Sequence, residues 1–191
     1  MDISVDIKAS QNRDKKLIIA QAAQSLITPD DAIIIASGSS VTAFAEILTP
    51  RNMINVVTPS LGIAVILNEK ENVKVMVLGG EMYQNSLSVR GSYTEAGLVN
   101  VSCSKLFIGC DGINLETGIT CSNLAEASLT TAMMKSCTQT VVLADSSKFG
   151  RRGFGKIGNV EDIDIIITDS GIPSTMRKKI EDLGVQILIA D

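Results

Sequence analysis

The chain has 191 residues, of which 45% are hydrophobic and 20% charged, a composition typical of one globular domain and too apolar for a disordered chain. Its net charge is −4, so the domain lacks the strongly basic character that direct binding to nucleic-acid phosphates requires. The sequence contains no histidine and no tryptophan, which excludes Ser-His-Asp and Cys-His catalysis as well as histidine-based zinc sites.

No targeting or membrane segment is evident. The start of the chain does not combine basic residues with a long apolar run, and the apolar runs at 32–36 and 163–167 are far too short to cross a bilayer. The four cysteines form no C-x-x-C pair, so we expect buried, reduced thiols rather than a metal or redox site. These features predict a cytoplasmic protein without membrane contact.

Alternating helical and strand patterns run through the chain. The spacing of Ile19, Ala22, Ala23 and Leu26 predicts a helix over 14–27, and the continuous apolar run at 32–35 is typical of a strand covered on both faces. Further strands are predicted at 54–58, 73–78, 86–89 (short and antiparallel), 105–108, 140–143, 163–168 and 185–189. Further helices are predicted at 41–48, 60–67, 92–100, 124–136 (with Asn123 and Glu126 forming a capping box) and 173–183.

Strands that alternate with helices indicate a three-layer α/β/α fold, with a mostly parallel sheet between two layers of helices. No linker or repeat divides the sequence, so we expect residues 1–191 to form one domain. In such open sheets, ligands bind beyond the carboxyl ends of the strands.

A serine-rich turn follows the first predicted strand. Gly38 allows the backbone to approach a ligand closely, and Ser37, Ser39 and Ser40 add hydroxyl donors. Amides at the start of the next helix would favour an anion. The alternative is that one of these serines only caps the helix. The turn is neither a P-loop nor a dinucleotide fingerprint, because it lacks both glycine patterns.

Three other strand ends carry candidate ligand contacts. Thr58 closes the second predicted strand, Gly79-Gly80 follows the third, and Asp111-Gly112 follows the strand at 105–108. Gly79-Gly80 and Asp111-Gly112 each also have a plain structural interpretation as a tight turn.

Lys148 ends the polar cluster that follows the predicted strand at 140–143. A lysine in that place can supply the point charge that a phosphate group needs, although a solvated surface lysine is the alternative. Arg151, Arg152 and Lys156 occupy the following loop, where one of them could close over an anion.

These motifs, in this order, resemble the C-terminal effector-binding domain of DeoR-family transcriptional regulators. The most specific stretch is VVLADSSKFG at 141–150, which is similar to the hallmark of that family. Further matches are VTPSL at 57–61, LGG at 78–80, Gly91, FIGCDGI at 107–113 and Gly118.

The resemblance implies a fold similar to ribose-5-phosphate isomerase and the CoA transferases, with a sugar-phosphate site formed by the serine turn, the Asp-Gly loop and the Lys148 loop. It also implies self-association as a homodimer or tetramer, and DNA binding only through a winged helix-turn-helix that precedes this domain. Residues 1–191 begin about where a linker from that domain should end, so we expect a truncated chain or a lone sensor domain. The predicted ligand-binding residues are Ser37, Gly38, Ser39, Ser40, Thr58, Gly79, Gly80, Asp111, Gly112 and Lys148.

The chain departs from the family pattern at two positions. Ala36 replaces an aspartate that the family usually has before the serine turn, and Pro59 replaces an asparagine. The lost carboxylate removes the expected contact with sugar hydroxyls, so the ligand of this chain can differ from that of its relatives.

Two enzyme-like alternatives have less support. A sugar-phosphate isomerase of this fold carries an Asp-Gly-Ala-Asp-Glu run, but the matching positions 111–115 read DGINL and lack both later carboxylates. A nucleotide or CoA module would need a glycine fingerprint or a nucleophilic glutamate, and Glu81 and Glu95 have no supporting context. We therefore expect a phosphorylated-sugar sensor with no catalytic residue, metal or cofactor.

Overall fold

The computed structural model describes residues 5–191, and side chains from residue 7 onward. The helices are α1 (Val5–Ser10), α2 (Arg13–Gln24), α3 (Ser39–Ile47), α4 (Leu61–Asn68), α5 (Ser92–Ala96), α6 (Leu124–Lys135) and α7 (Ser174–Asp182). The first six strands are β1 (Ala32–Ile35), β2 (Ile54–Thr58), β3 (Val73–Val77), β4 (Glu81–Tyr83), β5 (Ser88–Arg90) and β6 (Cys103–Ile108). The other six are β7 (Gly112–Asn114), β8 (Gly118–Cys121), β9 (Cys137–Leu143), β10 (Gly155–Gly158), β11 (Ile165–Asp169) and β12 (Gln186–Ala190).

The main sheet has seven strands in the order β12-β11-β9-β6-β1-β2-β3. Every neighbouring pair is parallel, so all seven carboxyl ends lie along one edge. The predicted three-layer α/β fold with a parallel sheet is confirmed. β1 and β6 lie at the centre, because their runs are apolar on both faces and need cover from both sides.

Successive residues of the central strands pack on opposite faces of the sheet. Ile33 and Ile35 of β1 pack against α2, α3 and α4, where the Phe44 and Phe107 rings lie 4.6 Å apart. Ile34 packs on the other face, which α6 and α7 cover. Both clusters contain many fully buried side chains, and this double burial accounts for the strand propensity of continuous apolar runs.

Two small antiparallel sheets were not predicted as such. β10, β8 and β7 form a three-stranded sheet, and β4 and β5 form a hairpin. The expected loop at 150–158 therefore contains β10, and Gly112, expected in a turn, begins β7. The strand predicted at 86–89 is present as the antiparallel β5, Ser88–Arg90.

The helix predicted over 92–100 was too long. α5 ends at Ala96, and Gly97 follows with its amide bonded to the Tyr93 carbonyl. A Cβ at Gly97 would lie 3.2 Å from the Leu78 side chain, so the glycine allows the end of the helix to pack closely on the core. By contrast, Asn123 is the N-cap of α6 as predicted, and its side chain accepts the Glu126 amide at 2.8 Å. The Glu126 carboxylate accepts a hydrogen bond from the Asn123 side chain at 3.3 Å.

The four cysteines are unpaired as expected, but only two of them are fully buried. All four are free, with Cys103 and Cys121 buried and Cys110 and Cys137 partly exposed. Burial raises the pKa of both Cys110 and Cys121 to about 12, so these two thiols are protonated and poorly nucleophilic at neutral pH. Among the described helices, none has the length and hydropathy to cross a membrane.

Candidate functional site

The polar strand ends that the sequence singled out lie along one edge of the main sheet. Because β6 and β1 are neighbours, the loop that begins at Cys110 and Asp111 lies next to the serine turn. β9 follows β6 in the sheet, which puts the Lys148 turn on the far side of Asp111. Thr58 lies at the end of β2, and Gly79 and Gly80 lie beyond β3 near the outer edge.

The serine turn starts α3 without a side-chain cap. Gly38 is the N-cap residue with φ 134°, and no side chain of the described residues accepts a hydrogen bond from the first amides of this helix. The Gly38 carbonyl accepts both the amide and the hydroxyl of Thr42 at 2.9 Å. The alternative of a serine that only caps the helix is therefore not the arrangement seen here, and the first amides of α3 remain available to a ligand.

A short 3₁₀ turn, Ser146–Lys148, holds Lys148 at the end of β9. The buried Asp145 carboxylate accepts the Ser147 amide at 3.0 Å, and Asp169 accepts the Ser146 amide at 2.6 Å. Lys148 itself is half-buried rather than fully solvated. Two carboxylates thus hold the backbone of this turn, and the Lys148 side chain lines the cavity next to it.

The first helices lie across this edge of the sheet, which sequence reasoning did not predict. Lys8 Nζ donates to Asp111 Oδ1 at 2.7 Å, and Asn12 Nδ2 donates to Asp145 Oδ1 at 3.1 Å. Lys15 pairs with Asp169 at 3.0 Å. We call residues 8–16 the N-terminal segment. It contacts the ends of three consecutive strands of the sheet, β6, β9 and β11.

A cavity of about 420 Å³ lies between the N-terminal segment and the Lys148 turn. The serine turn opens instead onto two neighbouring cavities, one of about 50 Å³ beside Ser37 and Gly38 and one of about 350 Å³ beside Ser39. The N-terminal segment contributes to both, because Lys8 also lines the first and Lys16 the second. The cavity beside Lys148 is lined by Lys8, Gln11, Asn12, Lys16, Asp145, Ser147, Lys148 and Arg151.

Positive charge dominates this cavity. Burial is the main reason that the pKa of Lys16 is lowered, and the nearby charges of Lys148 and Lys8 lower it further, whereas Asp145 opposes the shift. Lys16 is only 5% exposed and donates to the backbone carbonyls of Lys8 and Gln11. A lysine that is buried beside two other lysines gains from any anion that enters, because the anion offsets their mutual repulsion.

Several predicted site residues have a structural role that needs no ligand. Thr58 is fully buried, and its hydroxyl accepts the Ser60 amide at 3.1 Å. A Cβ on Gly80 would lie 2.0 Å from the Thr94 hydroxyl, and one on Gly112 would lie 2.4 Å from the Arg151 carbonyl. These two glycines therefore permit close packing of neighbouring segments.

The structure also bears on the positions where an isomerase would carry carboxylates. Asn114 Oδ1 accepts the amides of Glu116 and Thr117 at 2.9 and 3.2 Å, so this side chain closes the turn between β7 and β8. Asp111 is held by Lys8. Within residues 5–191, no three cysteine or carboxylate side chains come together in a way that could hold a metal ion.

Replacing Asp169 with asparagine should lower the free energy of unfolding at pH 7 by about 2 kcal/mol. Burial alone would raise the pKa of this carboxyl, but hydrogen bonds from the Ser146 amide, Lys15, the Ser146 hydroxyl and the Gly171 amide outweigh it and lower the pKa to about 2. An asparagine amide keeps one acceptor oxygen but turns its NH2 toward two of those donors.

Urea unfolding of the Asp169→Asn variant and the unmodified chain from pH 7 to pH 2 measures this effect. The folded-state pKa lies below the ordinary 3.8, so the stabilisation is complete above about pH 5 and is lost as the pH falls toward 2. The difference between the two proteins should shrink over that range. Asp182→Asn, which alters an exposed carboxylate of α7, is the control; a pH-independent difference at Asp169 would contradict the prediction.

Comparison with known proteins agrees with the family resemblance. Residues 11–170 match the family described as DeoR C terminal sensor domain. The chain is 33% identical over 186 residues to a putative aga operon transcriptional repressor of Escherichia coli O157:H7, covering 97% of this chain and 69% of that protein. It is 34% identical over 173 residues to the HTH-type transcriptional regulator YulB of Bacillus subtilis, covering 91% and 67%.

Solved structures agree with the fold. Ribose 5-phosphate isomerase A from Methanocaldococcus jannaschii superposes with a TM-score of 0.52 at 18% identity, over 73% of this chain and 55% of that one. eIF2B beta from Chaetomium thermophilum gives a TM-score of 0.58 at 13% identity, over 81% and 48%. The chain thus spans about half the length of these structures. By its sequence, the chain belongs to the DeoR C-terminal sensor domain family, and its matched relatives are named transcriptional regulators and repressors.

Proposed function

We propose that this sensor domain binds a phosphorylated sugar or a related metabolite at the carboxyl edge of its sheet, and that binding controls a DNA-binding domain of the same regulator. The observation that carries the proposal is the cavity beside Lys148. Its lining contains Lys16, Lys148 and Arg151 with a single carboxylate, Asp145, in addition to Lys8, which pairs with Asp111, in a chain whose net charge is −4. Such a local excess of positive charge favours an anionic ligand.

The geometry favours a phosphate ester over a carboxylate. A phosphate monoester carries up to two negative charges near neutral pH and offers three acceptor oxygens. Lys148 and Lys16 supply charged donors from two sides of the cavity, and the uncapped amides of α3 lie in the neighbouring space beside Ser39. Charged donors and helix-terminal amides together match the oxygens of a dianion.

The sugar part would extend along the same edge of the sheet toward the serine turn and Asp111. Ser37 and Ser39 offer hydroxyl groups there, whereas Ala36 is apolar and 4% exposed. Hydrogen bonds to sugar hydroxyls would therefore come from Ser37, Ser39 and the Asp111 carboxylate. Gly38 and Gly79 would contact a ligand of this class through their backbones.

The relatives support the regulatory part of the proposal. One of them is named an HTH-type transcriptional regulator and two are named repressors, so we assign this chain to a repressor that contacts DNA through a helix-turn-helix domain. We also propose that the regulator is cytoplasmic, because DNA and phosphorylated sugars are both present there. We further propose that it forms a homodimer or tetramer. The effector then acts by binding one of two states of the regulator more tightly.

Thermal unfolding of the chain with a panel of ligands tests the proposal. A ligand present at 100 times its Kd should stabilise the fold by about 2.7 kcal/mol, or roughly 5–10 °C in Tm for a domain of this size. Ribose 5-phosphate, glucose 6-phosphate and fructose 6-phosphate are compared with the free sugars at equal ionic strength. Stabilisation by phosphorylated sugars alone is the expected result; equal effects of the free sugars, or none from any compound, would refute it.

A further inference from the structure

The N-terminal segment is bound to the candidate site through contacts that are very distant in sequence. The pairs Lys8–Asp111 and Asn12–Asp145 join residues 103 and 133 positions apart. Lys15 adds a bond to the Ser146 hydroxyl at 2.9 Å, next to its ion pair with Asp169. The segment is therefore held by the same strand ends that carry the candidate ligand contacts.

The side chains of this segment face the cavity with an excess of positive charge. Lys8, Lys16, Lys148 and Arg151 line it together with the Asp145 carboxylate. Asp145 is 1% exposed and already accepts hydrogen bonds from Asn12 and the Ser147 amide. Lys8 is paired with Asp111, which leaves Lys16 of the N-terminal segment and Lys148 and Arg151 of the Lys148 loop facing this one buried carboxylate.

We propose that residues 8–16 form the second wall of the effector site. A phosphate dianion bound between Lys16 and Lys148 then holds this segment against the strand ends. This inference rests on the proposed function. The dianion removes the repulsion between the lysines of the two walls and links them through shared oxygens. Binding of the dianion thus stabilises the N-terminal segment in the position seen here.

The consequence is a direct route from effector to the start of the chain. In a regulator whose DNA-binding domain precedes the sensor domain, residues 8–16 lie on the connection between them. An effector that fixes this segment restricts how the preceding domain can be oriented, without any change in the seven-stranded sheet.

Inorganic phosphate is the probe for this proposal, because it carries the dianion without the sugar. Calorimetry measures its affinity for the full chain and for Lys16→Met, Lys8→Met and Lys178→Met variants. Methionine retains an apolar side chain of similar length at the buried position 16. Lys178→Met is the matched control, since it removes one positive charge from the exposed face of α7, outside the N-terminal segment and outside the cavities beside Lys148 and Ser39. Loss of a charged hydrogen bond should weaken binding about tenfold or more for Lys16→Met, and Lys8→Met should also weaken it, with little change for Lys178→Met.

Hydrogen exchange of residues 8–16 provides the second measurement. Saturating phosphate should slow exchange in this segment several-fold relative to chloride at the same ionic strength, and a Lys148→Ala variant should lose that protection. The proposal is overturned if phosphate binds equally to all three methionine variants, if exchange in the segment is unchanged on binding, or if phosphate does not bind. Because sugar phosphates are tested separately by thermal unfolding, either of the first two results would leave the proposed function intact while removing the segment from the site.

Discussion

A Gly118→Ala variant is expected to lose about 3–5 kcal/mol of unfolding free energy, because two penalties coincide at this position. Gly118 has φ +82°, a left-handed conformation that a Cβ disfavours. A Cβ there would also lie 2.1 Å from the Gly158 carbonyl oxygen, and a backbone oxygen cannot rotate away. The added methyl would therefore force β8 and β10 apart at the point where they pair.

Two other glycines separate these penalties. Gly184 has φ +89° but open space around its Cβ position, so Gly184→Ala should cost only about 1–2 kcal/mol. Gly109 has neither a positive φ nor a neighbour within 4 Å, so Gly109→Ala should change stability by about 0.5 kcal/mol or less. Urea unfolding followed by circular dichroism measures all three. A Gly118 variant no less stable than the Gly184 variant would show that β10 does not pack here as described.

The main sheet could be predicted because its signal is local. The run at 32–35 is apolar without interruption, and the run at 54–58 is rich in β-branched residues, with Ile54, Val56 and Val57; the observed strands β1 and β2 have those bounds. The three-stranded sheet carries no such signal. β7 and β8 have three and four residues, and β10 pairs with β8 across more than 30 residues of sequence. The pairing of these strands depends on tertiary packing around glycines. A short window of sequence does not contain that information.

The site shows the same division. The placement of the serine turn and the Lys148 turn at the same edge of the sheet could be predicted, because carboxyl ends of parallel strands meet there whatever the loops contain, but the sequence did not predict that they line separate cavities. Lys8, Asn12 and Lys16 were missed because they precede the first strand, in a stretch with no motif. A possible signal was the local excess of basic residues at 13–16, read RDKK, but it does not indicate that Asp111, Asp145 and Asp169 are their partners. Only the fold brings these charges together.

Lys148→Ala should weaken binding of a phosphorylated sugar by about 10- to 150-fold, the range expected when a hydrogen bond from a charged donor is lost, about 1.5–3 kcal/mol. Ser39→Ala should have a smaller effect, because the amides of α3 remain. Lys156→Ala is the control: it removes the same charge from an exposed position on β10, where the ammonium donates to Asn159 at 2.7 Å.

Calorimetric titration of the three variants with the best ligand of the thermal screen separates two origins of affinity. If Lys148 and Lys156 variants lose affinity to the same small extent, the domain attracts anions only through its overall field, which salt would screen. If only the Lys148 variant loses affinity, and does so at high salt as well, the contact is local and the ligand lies between the Lys148 turn and the N-terminal segment. The half-buried position of Lys148, on a turn whose backbone Asp145 and Asp169 hold through hydrogen bonds, favours the second outcome, because a side chain that is already partly confined loses less freedom on binding.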